Sequence, residues 1–258
     1  MRTLAIASLP NLTLEERLYL QSSPVETSTL VGRCNRGELE SLLRWCEKEG
    51  NRWVSYGDEC YPVQLRNIKE APFLLTYRGN LTMEGMGLSL VGGRFPTKAT
   101  ISAASTIATQ CNLLGHTVVS GFEGGIPIVV HRTAFKSWAV LSFGLEQITL
   151  PRLANLIVDR GGALISEWHP HSSPARRRYL YTSRLIGALS PLTLLFGARR
   201  GSSATYCADY ALDYGREVAV TTQGQEESGS KALVEAGAPL VATFEQIMEV
   251  SGINYGRL

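Results

Sequence analysis

Arg176, Arg177 and Arg178 stand in a row, Tyr179 and Tyr181 lie just beyond them, and Arg184 is six residues past Arg178. Guanidinium groups grip phosphate oxygens in a bidentate fork, and aromatic faces stack on unpaired bases. A segment of this composition suits a polyanion with accessible bases. On a helix, six residues of separation turn Arg184 away from Arg178, so the two need not share contacts. A second set of residues points the same way. Gly92, Gly93 and Arg94 follow one apolar run; Ser120, Gly121, Gly124 and Gly125 follow the next; Arg199 and Arg200 follow a later one. Glycine lets a backbone approach a ligand closely, and free N–H groups at a helix start attract anions. Together these features predict a ligand that carries phosphates.

Other chemistry is thinner. His131 falls in an apolar helical stretch, where the natural role is a hydrogen bond that fixes the preceding loop. Ser120 ends a predicted strand but has no G-x-S-x-G elbow around it. His169 and His171 flank Pro170 without other metal-binding side chains nearby, which reads as a loop. Cys34, Cys46, Cys60, Cys111 and Cys207 are odd in number with no C-x-x-C pair, so neither a disulfide framework nor a zinc site is predicted. Glu123 and Glu167 lie beside the glycine turns and could orient a ribose or a water. They keep a second ligand class open, a mononucleotide or a nucleoside phosphate awaiting hydrolysis. "VGGR" is not the G-x-G-x-x-G fingerprint, and no acid stands where a ribose clamp would.

The elements that must position these residues alternate along most of the chain. Apolar strands are predicted at 88–93, 117–121, 139–144, 163–167, 192–198 and 217–222, with a short one at 239–243. Helices are predicted at 97–115, 126–137, 151–162, 175–190, 203–215, 229–237 and 243–252. Near-continuous apolar strands separated by helices indicate a mostly parallel sheet covered on both faces, an α/β doubly wound Rossmann-like fold. In such a sheet the ligand sits beyond the carboxyl ends of the strands, where the glycines and Arg94 fall. Residues 1–80 differ in texture. Thr13 and Glu16 form a capping-box signature before one helix, and Leu39, Leu42, Leu43 and Cys46 give helical spacing to another, which stops at Gly50. A short strand at 53–57 and an apolar run at 73–79 come next. The Gly-containing connector at 80–87 places the boundary between a small helical N-terminal region with its lead-in segment, 1–80, and a Rossmann-like domain, 81–258.

Composition bounds the class. A chain of 258 residues with 44% hydrophobic residues can bury a core without disulfides or metals. A net charge of +2 is too small to name a partner, so only the clustering of arginines carries weight. No apolar run approaches the ~18 residues of a membrane span, and the N-terminus lacks a signal-peptide core, so no membrane association and a cytoplasmic location are expected.

In their order along the chain these motifs resemble the DNA-processing protein A family (DprA, also called Smf), bacterial Rossmann-like proteins that load recombinase onto single-stranded DNA. "YPVQLRNIKEAPFLLTYRGN" is similar to the family's Tyr-Pro lead-in. "VGGR" is similar to its Val-Gly-Ser-Arg, which carries over Gly92 and Arg94. "SGFEGGIPIVVHRTAF" is similar to its Ser-Gly-Leu-Ala-x-Gly-Ile-Asp and Ala-His-x-x-Ala, on Ser120, Gly121, Gly125, Ile126, His131 and Ala134. "GGALISE" and "GSKALVEAGA" also match. Departures are concentrated at the site. Pro127 stands for the Asp, Glu123 for an Ala, and Thr182 and Ser183 replace the first two members of an Arg-Asn-Arg core, leaving Arg184. The family's frequent C-terminal winged helix is expected to be absent. The resemblance implies a non-enzymatic protein without cofactors. It implies single-stranded DNA as ligand, a homodimer, and a RecA-type recombinase as a further partner. The resemblance implies contacts at Gly92, Arg94, Ser120, Gly121, Gly125, His131 and Arg184; the residues themselves add Gly93 and the triplet Arg176, Arg177 and Arg178, to which the grip on DNA is expected to be relocated. A nucleotide-binding protein, or a defence or antitoxin protein reusing the scaffold, is the alternative.

Overall fold

The computed structural model describes residues 1–252; the end of the 81–258 unit, residues 253–258, lies outside them. Four short helices come first: α1 (Arg2–Ala7), α2 (Leu14–Ser22), α3 (Thr27–Arg33) and α4 (Arg36–Cys46). The α2 start follows from its sequence. Thr13 accepts from the Glu16 N–H at 3.2 Å while the Glu16 carboxylate accepts from the Thr13 N–H at 2.7 Å, so two orphan donors are satisfied. Two strands come next, β1 (Asn51–Ser55) and β2 (Leu74–Gly79).

From there strand and helix alternate: β3 (Gly87–Gly92), α5 (Lys98–Leu113), β4 (Thr117–Gly121), α6 (Ile126–Thr133), β5 (Ser137–Val140), α7 (Pro151–Asp159), β6 (Ala163–Ser166), α8 (Arg176–Ala188), β7 (Leu192–Phe196), α9 (Ser203–Asp213), β8 (Glu217–Thr221), α10 (Ser228–Glu235), β9 (Leu240–Val241) and α11 (Phe244–Val250). The nine strands of the described residues form one sheet in the order β1-β2-β6-β5-β4-β3-β7-β8-β9. β3 to β9 run parallel, whereas β1–β2 and β2–β6 pair antiparallel. This is the α/β Rossmann-like architecture that the alternation predicts. Residue 80, the boundary expected from the connector, falls between two strands of the same sheet.

Alternate strand residues go to opposite faces, as a pleat requires. Leu88, Leu90, Val118, Leu194 and Ala219 pack against α5, α6 and α11. Val91, Val119, Val140, Ile165, Leu195 and Val220 pack against α8 and α9. Ala139, Leu141 and Leu164 meet α7 and the N-terminal helices through a third cluster. Burial on both faces explains why these strands read as near-continuous apolar runs.

The stretch around residue 135 differs from expectation. α6 ends at Thr133 instead of 137, and β5 starts at Ser137, two residues before the predicted strand. The stop comes from another element. Asn112, near the end of α5, accepts from the N–H groups of Phe135 at 2.6 Å and Lys136 at 3.1 Å and donates to the Lys136 carbonyl at 2.9 Å. A local pattern carries no trace of that partner.

Candidate functional site

β3 lies between β4 and β7. From β3 the chain winds one way through β4, β5 and β6, and from β7 it winds the other way through β8 and β9. The strand order reverses between β3 and β7, so the crevice beyond their carboxyl ends is where such a sheet takes a ligand. At its floor the Gly93 N–H donates to the Gly197 carbonyl at 2.7 Å.

The loop after β4 leans over this floor. The Ile126 N–H donates to the Gly93 carbonyl at 3.2 Å. Gly125 has φ 88°, and a Cβ there would collide with the Gly93 carbonyl oxygen and lie 2.5 Å from the Arg94 Cα. Only glycine fits on both counts. His131 holds the same loop from below. It is fully buried, with Nε2 at 2.7 Å from the Gly121 carbonyl and Nδ1 at 2.9 Å from Ser137 Oγ. A carbonyl can only accept, so Nε2 carries the proton and Nδ1 accepts from the serine. Burial pushes the ring pKa down to about 4, against the favourable pull of the Gly121 carbonyl. Ser120 faces inward and donates to the Leu90 carbonyl at 2.6 Å.

Glu123, half-buried, turns back over its own strand end. A Cβ at Gly121 would run into the Glu123 carboxyl group, whose Cδ would be 2.8 Å away. Ser203 Oγ, on the first residue of α9, donates to Glu123 Oε1 at 3.0 Å. Burial raises the Glu123 pKa above the usual carboxylate range; hydrogen bonds from Ser203 and from the backbone of Glu123 and Phe122, and the charge of Arg94, work against that rise. A short chain of contacts continues toward the basic helix, since Ser183 Oγ donates to the Ser203 carbonyl at 3.1 Å and to the Tyr179 carbonyl at 3.0 Å.

The arginines divide into two groups. Arg94, Arg176 and Arg177 are exposed and hold no ion pair among the described residues. Arg199 is exposed with Glu227 at 3.5 Å, and Arg200 is exposed beside it. Arg178 is partly engaged: its guanidinium lies 4.9 Å from the Trp168 ring centroid and donates to the Ser173 carbonyl. Trp168 in turn donates to Thr182 Oγ1 at 3.0 Å and packs 6.0 Å from Tyr181.

Arg184 is different. It is 2% exposed, and its fork meets Glu167, itself 9% exposed, at 2.6 and 2.5 Å. It also donates to the carbonyls of Glu70 at 2.9 Å and Tyr181 at 3.2 Å, and its guanidinium carbon lies 3.8 Å from the Tyr181 ring centroid. Two residues read from the sequence as a phosphate contact and a free ligand-orienting acid are thus each other's buried partner. Neither offers a free charge, and the same correction applies to Ser120, whose hydroxyl is spent on Leu90. Glu123 also differs from its reading as a free acid, since its carboxylate is committed to Ser203. The pairing of Arg184 with Glu167 walls one side of a cleft of about 1260 Å3, lined also by Arg17, Phe73 and Trp168. That cleft lies between the N-terminal helices and the lead-in segment, away from the β3–β7 crevice.

Sequence reading misses two residues at the crevice. Ser203 has no visible link to Glu123, being 80 residues away. Phe95, next to Arg94, is 84% exposed. Pro96 and the helix-capping Thr97 come directly after it, which restrains its backbone. The available signal is an aromatic residue in a strand-to-helix turn.

No described helix is long and apolar enough to cross a membrane. The family model for DNA recombination-mediator protein A matches residues 52–252. Protein Smf of Escherichia coli (strain K12) is 31% identical over 229 residues, covering 83% of this chain and 60% of the relative's length. The X-ray structure of DNA processing protein A from Streptococcus pneumoniae superposes with a TM-score of 0.72 at 23% identity, over 93% of this chain and 87% of that one. A structure of the Helicobacter pylori protein, solved for its single-stranded DNA binding mode, gives 0.69 at 22% identity over 77% and 94%. These two likenesses establish the shared fold. With its motifs in order over most of its length and the family match spanning the sheet from β1 to the end of the described residues, the chain belongs to the DNA recombination-mediator protein A family.

Proposed function

We propose that this protein binds single-stranded DNA along the carboxyl edge of its sheet and acts in the cytoplasm as a mediator, without bond chemistry of its own. The observation that carries this reading is a set of exposed guanidinium groups without ion pairs among the described residues, Arg94 in the turn after β3 and Arg176 and Arg177 at the start of α8, all in segments that follow the carboxyl ends of parallel strands. Gly92, Gly93, Gly121 and Gly125 shape the crevice, and His131 braces it. Arg178, over Trp168, adds charge to an aromatic surface suited to bases. In this reading residues 81–258 carry the strand and residues 1–80 complete the fold beside it. The downstream partner is a RecA-type recombinase, and the working unit is a homodimer. The mononucleotide alternative needs Glu123 and Glu167 as free acids; both are committed to protein partners.

Fluorescence polarisation with oligo-dT over a salt series tests the reading. Removing one phosphate contact should lower the slope of log affinity against log salt by about 0.7. Arg94→Ala should therefore reduce it by one such step and the triple Arg176/Arg177/Arg178→Ala variant by two or more. Unchanged affinity and slope in both variants would remove this surface from consideration.

Phe95 gives a complementary prediction. An exposed aromatic next to a phosphate-gripping arginine is placed to stack on the neighbouring base. Phe95→Ala should weaken oligo-dT binding by about 10-fold and leave the salt slope alone. An abasic oligonucleotide of equal length should not distinguish the variant from the parent. Equal losses on both oligonucleotides would mean that Phe95 acts through the loop and not through a base.

A further inference from the structure

We infer that Glu123 occupies a phosphate position of the rim, its carboxylate lying over Gly121 on the donors that an incoming strand would use. The inference rests on the single-stranded DNA reading and adds to it what sets the affinity of that site.

An acid in a glycine-rich loop could extend into water at little cost. This one turns inward instead. Its carboxyl group fills space that only a missing Cβ at Gly121 leaves open. There it takes the Ser203 hydroxyl at 3.0 Å, close over the backbone of its own turn. A serine hydroxyl at the first residue of α9, beside the glycine turn, can donate to any compact oxyanion, and the two non-bridging oxygens of a strand phosphate are acceptors of the same kind as the two carboxylate oxygens. Arg94 is near enough to favour the carboxylate charge yet forms no ion pair with it among the described residues, so its guanidinium stays free for a second anion.

Two anions cannot share those donors. A strand phosphate entering at Gly121 must first displace the Glu123 carboxylate, and apparent affinity falls by the fraction of molecules in which the donors are free. Glu123 thus acts as an internal competitor. The remaining surface, Arg94 with the arginines of α8, does not meet this obstacle.

The test compares the parent chain with Glu123→Ala and Glu123→Gln in two assays. In oligo-dT polarisation Glu123→Ala should bind about 10-fold tighter, as expected where about one molecule in ten has the donors free, and Glu123→Gln, whose neutral amide oxygen still accepts from Ser203, by a smaller factor. Glu123→Ala should also steepen the salt slope by about 0.7, one additional phosphate contact. In thermal unfolding, inorganic phosphate should raise the midpoint of Glu123→Ala well above any effect on the parent. Adding Ser203→Ala should abolish that gain, which a mere change in net charge would not do. Variants matching the parent in both assays would overturn the inference, and so would a phosphate effect indifferent to Ser203. If Glu123→Ala fails to fold, Glu123→Gly, which also leaves the position over Gly121 empty, carries both assays. Failure of the DNA reading looks different: the parent and Arg94→Ala would bind oligo-dT equally poorly while phosphate still stabilised the Glu123 variants through Ser203.

Discussion

Glu167→Gln is expected to lower the free energy of unfolding by about 3–5 kcal/mol, measured by urea denaturation. The reason is the charge it would strand. Arg184 is 2% exposed and cannot shed its proton. Without the carboxylate, its remaining acceptors are the carbonyls of Glu70 and Tyr181. Its Nε already lacks a hydrogen-bond partner among the described residues. The pair also ties the start of the loop after β6 to α8 and to Glu70, which sits at φ 59° and so depends on its surroundings to hold it. Replacing both partners, Glu167→Met with Arg184→Leu, should recover most of the loss, because no unpaired charge then remains. A Glu167→Gln variant within about 1 kcal/mol of the parent would show that water reaches the pair. Below the transition, oligo-dT affinity of Glu167→Gln should match the parent, which separates a structural pair from a ligand contact.

The second large effect is a loss of stability in acid that belongs to His131. The folded ring has a pKa near 4, while an unfolded histidine takes its proton near 6.5. Between those values the unfolded chain binds one proton more than the folded chain. The contribution is therefore complete above pH 6.5 and is lost as pH falls through about 4, reaching about 3 kcal/mol. A proton added at Nδ1 would also face a serine hydroxyl that now donates to it, so Ser137 must turn round. His131→Gln should start less stable at pH 7.5 and show a flatter decline toward pH 4.5. His116 and His169, whose pKa values burial also lowers, are common to both proteins and drop out of the difference. Parallel stability curves for parent and variant would mean that His131 titrates alike in both states.

These two sites also mark the reach of sequence reading. The buried parallel strands are legible because both faces are covered, so Leu88 to Val91 or Leu192 to Phe196 present near-continuous apolar runs, broken only by Ser89 and Thr193, that end at glycine. β1 and β2 are not legible as part of the sheet. They are partly exposed and carry Arg52 and Arg78; β1 joins the sheet only through β2, and β2 finds its other neighbour 90 residues on, where Thr76 pairs with Ser166. At the site, Gly125 and Arg94 are recognisable because turn chemistry is local. The pairing of Arg184 with Glu167 is not, because no periodicity in the chain tells a helix arginine that the strand before it ends in its counter-ion. Glu123 is visible as an acid in the wrong kind of loop. Its direction comes only with Ser203, supplied by a different crossover of the fold. Family membership is legible from motif order, and the match over residues 52–252 agrees with it.

The reversal of strand order between β3 and β7 also governs when the site comes into being. β3 is completed by Gly92, but its second neighbour is not translated until Phe196 has been added, and Ser203 later still. A nascent chain on the ribosome therefore carries Arg94 and the first glycine turn through a long interval in which one wall of the crevice does not exist. Any product of a premature stop before β7 lacks the β7 wall and Ser203, and synthesis itself delays the completed crevice until most of the polypeptide has emerged.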